Sequence, residues 1–462
     1  MIGGYVALWF LAGFVPVVPT DLDLTFWPSA RVALAGHPLS VYAAGGHIAY
    51  PNANGPLSLV PLTAVGALLR AIGWLDSFQL RRAVAFAIFS LFILAMAREG
   101  VAAIERLRGS RLDTMPRLLA YGVLALGTPL WQSLVGFGHI EQAIEVWLGL
   151  IAVRVLNHGW VLRAGIAFAL MVLARSTAAL LCIPLVLAAW RQAPARAAVF
   201  LASASAAGLA GLLPFLIADP ADLEHSLLTY RGSLNVGAGS IWSVTRGSSL
   251  EVVGRHYDIV FVVSLALVLN IWLARRPGGF NEQRLFAGMA LTAACFALLA
   301  KTVWPYYLME VYVFGTVWAM GRWKVDDGFV ALLLTPAAIS GLGLIAEIGS
   351  TPGLRAGPVV VEGVTMFILL GAWMFWTARL AGGRSVPLTP STRQSLSTGL
   401  AKSATGTRRS LRSGEKMLGR ALVKVMATPT AMAVLKPANC PIVPPNTEPA
   451  TWAIATSTKM PD

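Results

Sequence analysis

"FQLRRAVAFAIFSLFILAMAREGVAAIERLRGSR" occupies residues 78–111, and its reading decides the fold. From Ala83 to Ala97 no side chain is charged, and then arginine recurs as Arg98, Arg106, Arg108, Arg111 and Arg117. Backbone amides in lipid must be satisfied within their own segment, and this run has none of the alternation of a barrel strand, so it reads as a membrane-spanning helix. Positive residues keep to the cytoplasmic side, so the arginine-rich loop faces inward.

The rest of the chain repeats the pattern. Of 462 residues 56% are apolar and 13% charged, and apolar runs recur to about residue 380, which excludes a water-soluble globular protein. The expected fold class is all-α, a polytopic integral membrane protein with about twelve transmembrane helices. The runs lie at roughly 2–19, 79–97, 117–135, 140–156, 161–176, 177–190, 196–218, 257–274, 284–301, 303–320, 328–349 and 358–378. Residues 56–73 are also apolar, but they contain Pro56, Pro61 and Arg70. Counted as a span, they would throw the five-arginine loop outside. Taken as a juxtamembrane helix, they leave Arg154, Arg163, Arg191, Arg196, Arg275, Arg276, Arg284, Arg322, Lys324, Arg379 and Arg384 on the same side as that loop.

Both termini are then cytoplasmic, and acids gather outside: Asp21, Asp23, Asp76, Glu141, Asp219, Asp222, Glu224, Glu251 and Asp258. The first run lacks the charged flank and cleavage site of a secretory signal, so it is expected to be retained. Residues 1–380 form a transmembrane domain with two long external loops, 20–78 and 219–256. Residues 381–462, rich in Ser, Thr, Pro, Lys and Arg, read as a disordered basic cytoplasmic tail. The tail supplies much of the net charge of +14, which suits anionic membrane lipids; no nucleic-acid motif is present. Cys182, Cys295 and Cys440 make no disulfide framework.

The candidate chemistry lies on the external side. Asp21 and Asp23 follow the first run, and their side chains diverge on either an extended or a helical backbone, so one suits a base and the other a positioning role. The plain alternative is that they cap the next short helix. Arg81, Arg82, Arg175 and Lys301 are cations placed against the positive-inside rule. Each is a candidate for phosphate binding, with pairing to Asp76 or Glu141, or snorkelling, as the alternative. His139 and Glu141 open a span beside Gly136 and Gly138, either as a site or as a polar cluster closing a helix end. Trp27, Tyr42, Tyr50, Trp242, Trp304, Tyr306 and Tyr307 suit sugar faces or the aromatic belt of a membrane interface. Asp21, Asp23, His37, His47 and His139 share a side, yet no spacing among them specifies ligands for a divalent metal, and no cofactor is called for. Phosphate loops, dinucleotide fingerprints and serine elbows are missing. A nucleotide-sugar enzyme would need a soluble domain, so a lipid-linked donor is favoured.

"SARVALAGHPLSVY" (29–42) and "YPNANGPLSLVPL" (50–62) resemble the first external loop of the GT-C superfamily of polyprenyl-phosphate-sugar-dependent glycosyltransferases, most nearly the polyprenyl-phosphate-mannose mannosyltransferases. "IGWLDSFQLRRAVAFAIFS" (72–90), "GHIEQAIEVWLGLIAV" (138–153) and "AGIAFALMVLARSTAALLCIPLVL" (164–187) are similar to later segments of that family, in order. Three departures stand out. Asn52 follows Tyr50 and Pro51 where the family repeats proline, Arg175 and Ser176 replace Lys-Pro, and Tyr306 and Tyr307 stand where histidine is common. The resemblance implies transfer of a hexose, with mannose the implied sugar, from a polyprenyl-phosphate donor to a lipid or glycan acceptor at the external leaflet of a bacterial plasma membrane. It assigns Asp21 and Asp23 to catalysis, Arg81, Arg82, Arg175 and Lys301 to the donor phosphate, and Tyr50, His139, Glu141, Tyr306 and Tyr307 to substrate. Two rivals remain: a flippase for a lipid-linked sugar, with charges near the bilayer midplane, and an oligosaccharide ligase or polymerase working through His225, Arg231, Arg246 and His256.

Overall fold

The computed structural model describes residues 2–15, 20–42, 52–230, 234, 236–237, 240–322 and 357–382. The chain divides into two units, Met1–Ser385 and Val386–Asp462, and every described residue lies in the first. Tyr50, His47, Arg231, the expected span 328–349 and the tail from residue 383 lie outside the described residues.

Among the described residues the fold is all-helical, with no strand. Six helices are long and apolar enough to cross a membrane: Phe78–Arg108, Thr114–Gly136, Pro194–Ala218, Glu251–Ala274, Glu282–Leu299 and Val364–Gly382. The chain is thus an all-α membrane protein. Its helices in order are α1 (Ile2–Ala12), α2 (Trp27–Leu34), α3 (Leu59–Ala71), α4 (Phe78–Arg108), α5 (Thr114–Leu126), α6 (Thr128–Trp131), α7 (Glu141–Asn157) and α8 (Val161–Ala174). They continue with α9 (Cys182–Gln192), α10 (Pro194–Ala218), α11 (Pro220–Glu224), α12 (Glu251–Ala274), α13 (Glu282–Leu299), α14 (Leu308–Arg322) and α15 (Gly357–Gly382).

Apolar side chains fill the interior and also cover much of the outer surface. Helix α10 buries only Ala197 and Phe200 and leaves Leu201, Leu209, Leu213 and Ile217 exposed. That is the surface lipid tails solvate. Helices α7, α13 and α14 are buried almost throughout, and they carry the polar side chains. Asn270 of α12 donates to Thr292 Oγ1 of α13 at 2.8 Å, a polar bond between helices of the kind hydrocarbon favours.

Several expected spans are shorter than 18 residues, for visible reasons. Helix α1 stops at Ala12, and Gly13, where a Cβ would sit 2.3 Å from Ala83 Cα, lets the chain pass close against α4. The expected pair 161–176 and 177–190 is α8, an extended Arg175 (φ −149°, ψ 121°), a 3-10 stretch Ser176–Leu181, then α9, which returns toward the start of α8, where Arg196 of α10 faces Gly159. Such irregular backbone is tolerated at membrane depth where it lines a cavity. The expected juxtamembrane stretch forms α3, which buries Leu59, Leu62, Val65 and Leu69 at helical spacing, while Arg70 donates to Leu34 O of α2 at 3.1 Å.

One end of the bundle is stitched by charge. Glu99 of α4 meets Arg154 of α7 at 2.9 Å and Arg106 at 3.5 Å, and Arg106 meets Glu282 of α13 at 3.3 Å. Arg106 and Arg154 are among the residues the sequence places on the arginine-rich side. The cavity lies at the other end.

Candidate active site

A cavity of about 500 Å³ opens among the turn before α2 and the ends of α7, α8 and α14, the size of a small-molecule site. Three π-helical turns contribute to its rim: Leu22–Phe26, Gln132–Gly136 and His225–Thr229, which supply Leu24, Gly136 and Leu227 to the lining. Turns of this kind recur at functional sites because the extra residue re-aims the side chains.

The first acid faces this space. Asp21 is fixed by its backbone N–H, which donates to Phe137 O at 3.0 Å, and its side chain is 46% exposed. Its Oδ2 lies 3.0 Å from His139 Nε2, and His139 Nδ1 lies 2.5 Å from Glu141 Oε1. The result is a carboxylate, an imidazole and a second carboxylate in a row, the outer one open to the cavity and the inner one fully buried. Gly138 makes the row possible. Its φ is +73°, and a Cβ there would sit 2.5 Å from Thr20 Oγ1 and 2.7 Å from Leu22 Cβ, so only glycine lets the two loops touch.

Burial disfavours the charged form of His139, but Glu141 and then Asp21 outweigh it and raise the pKa from 6.5 to about 9. The group is therefore an imidazolium at neutral pH. Since its folded pKa exceeds the unfolded value, its contribution to stability is complete below pH 6.5 and is lost as the pH climbs through about 9. In histidine-labelled protein, NMR should show His139 titrating near pH 9. In Glu141→Gln, with the larger attraction removed, the midpoint should fall clearly below that of wild type; an unmoved midpoint would refute the assignment.

Asp23 turns the other way. Its Oδ2 accepts from Thr20 N and Oγ1, 3.0 Å each, and from Arg82 Nη2. Both members of this ion pair are buried, and neither lines the cavity. The pair clamps the first loop to the start of α4. Arg81 donates to Leu75 O at 2.9 Å and lies over Trp27, and Lys301 donates to Arg255 O at 3.0 Å, so neither of these cations reaches the cavity lining.

Arg175 does reach it. The guanidinium is 2% exposed and lies 5.7 Å from the Tyr306 ring centre and 5.0 Å from that of Tyr307. Tyr306 lies against His139, ring centres 3.8 Å apart, so both tyrosines join the wall between Arg175 and the imidazole. Trp304 and Phe137 complete an aromatic side to the cavity. Two other aromatic candidates are committed elsewhere: Tyr42 donates to Asn54 O and Trp242 to Leu299 O.

The sequence reading did not single out Glu145, Glu310 and Gln142. Arg175 Nη1 contacts Glu145 Oε2 at 3.4 Å and Glu310 Oε1 at 2.5 Å, and Gln142 donates to Tyr306 O at 3.0 Å. One signal was available. Glu141 and Glu145 are four residues apart in an apolar helix, and an acid inside a membrane segment marks function by default. Among the described residues, no cluster of three His, Cys, Asp or Glu side chains has the arrangement of a metal site. The chain matches no protein-family model and no curated protein.

Proposed function

We propose that the protein is an inverting membrane glycosyltransferase of the GT-C kind, with about twelve spans, that moves a hexose from a polyprenyl-phosphate donor to a lipid or glycan acceptor at the external leaflet. One observation carries this reading: a half-exposed carboxylate, held by an imidazolium, shares a cavity of sugar-phosphate size with a buried guanidinium and an aromatic wall.

Asp21 takes the proton of the acceptor hydroxyl as its oxygen attacks the anomeric carbon, and the bond from that carbon to phosphate oxygen breaks. The leaving phosphate gains negative charge, which Arg175 receives through charge-assisted hydrogen bonds. His139 holds Oδ2 of Asp21 and so leaves Oδ1 for the acceptor. Trp304, 40% exposed, offers a face on which a sugar ring can stack. Asp23 and Arg82 act at one remove by fixing the loop that carries Asp21.

The ligase rival loses support, because His225, Arg246 and His256 are exposed and outside the cavity lining. The transporter rival gains one observation, the buried group of Arg175, Glu145 and Glu310. Membranes containing the protein, incubated with radiolabelled polyprenyl-phosphate mannose and extracted lipid or glycan acceptors, separate the two readings. A labelled glycoside product is expected. Movement of intact donor across the membrane without product would overturn the transferase.

A further inference from the structure

Next to the main cavity, sharing the walls Thr177 and Tyr307 with it, lies a second chamber of about 20 Å³, enough for a single water. Glu145 and Glu310 line it, and its other walls are apolar, Leu181 and Phe296 among them. Glu145 is 1% exposed and Glu310 6%. Each gives one oxygen to Arg175; the remaining ones, Glu145 Oε1 and Glu310 Oε2, are buried without a hydrogen-bond donor. Both carboxyls bear on the same nitrogen, Nη1 of Arg175, and line the same chamber.

Two ionised carboxylates are acceptors only, so they cannot bond to one another unless one is protonated. Charge counting leads to the same place. One guanidinium against two carboxylates leaves an unbalanced negative charge among apolar side chains, which a low-dielectric interior strongly penalises. The other titratable groups facing the pair are Tyr307 and, one turn along α7, Glu141, whose charge is met by His139.

We infer that Glu145 and Glu310 hold one exchangeable proton between them, and that this proton site is linked to anion binding at Arg175. The second half rests on Arg175 as the phosphate seat. An anion drawn to Arg175 from the main cavity weakens the hold of the guanidinium on both carboxylates. Their proton affinity rises and a second proton enters; the only bond formed is O–H, and the proton comes from solvent. Linkage is reciprocal, so the anion binds more tightly as pH falls, by up to about tenfold per pH unit.

Infrared spectra of the full-length protein at neutral pH test the first half. A protonated-carboxyl stretch that shifts in D₂O and vanishes in Glu145→Gln/Glu310→Gln is expected. Its absence overturns the shared proton, as does a band in wild type that added sodium abolishes. Calorimetry with farnesyl phosphate, in two buffers of different ionisation heat, tests the second half. Wild type should take up about one proton per anion, and the double variant should bind without uptake. Binding by wild type without uptake overturns the linkage and leaves the seat standing. Failure of wild type to bind overturns seat and linkage together, while the infrared band still decides the shared proton.

Discussion

Asp21→Asn is expected to lower transfer by at least about 10²- to 10⁴-fold, the usual contribution of a general base, with little change in thermal stability. The carboxylate is half-exposed and its removal leaves no group stranded without solvent, since His139 retains Glu141. Asp23→Asn, two residues on, should do the opposite. Arg82 is fully buried, and without the carboxylate opposite it the variant should lose about 3–5 kcal/mol of stability. Against a typical total of about 5–15 kcal/mol, that is enough to depress the folded yield. Radiolabel transfer and thermal unfolding, run on both variants, check the pair. If the two behave alike, or if Asp21→Asn keeps full activity, Asp21 is not the base.

The second large effect concerns Arg175. Its replacement by glutamine removes the cation from the buried pair Glu145 and Glu310, which carries negative charge, and should cost about 3–5 kcal/mol. Combining Arg175→Gln with Glu145→Gln and Glu310→Gln neutralises all three positions, and most of that stability should return. Affinity for a prenyl phosphate should not return, because the cation that receives the phosphate is still missing. Thermal unfolding alongside farnesyl phosphate binding separates the two roles. A triple variant that binds like wild type would show that Arg175 serves packing alone.

Much of the helical layout was legible in the sequence, because an apolar run bounded by charge forces its backbone into a helix. Helices α4, α10 and α12 contain the runs 79–97, 196–218 and 257–274. Asp21, His139, Arg175, Tyr306 and Tyr307 were also legible as polar or aromatic residues beside apolar runs, and they converge on one cavity. What local sequence does not encode is the direction in which a long side chain turns. Lys301 and Arg82 belong to the same end of the bundle as Arg175, yet one reaches back to α12 and the other to Asp23. Partnerships across the chain were equally hidden. Arg175 and Glu310 are 135 positions apart, and only the break after α8 brings them together.

The charged stitching at the far end of the bundle has a mechanical consequence. Glu99, Arg106, Arg154 and Glu282 tie α4, α7 and α13 at the end of the bundle away from Asp21. At the cavity end the same three helices run into loops and irregular turns, which open at lower cost than packed helix interiors. Like the arms of tweezers, these three helices are joined at the heel by charge and are more compliant at the tips. If the proposed donor is the occupant, a small splaying of the tips would admit its bulky headgroup while the heel stays shut.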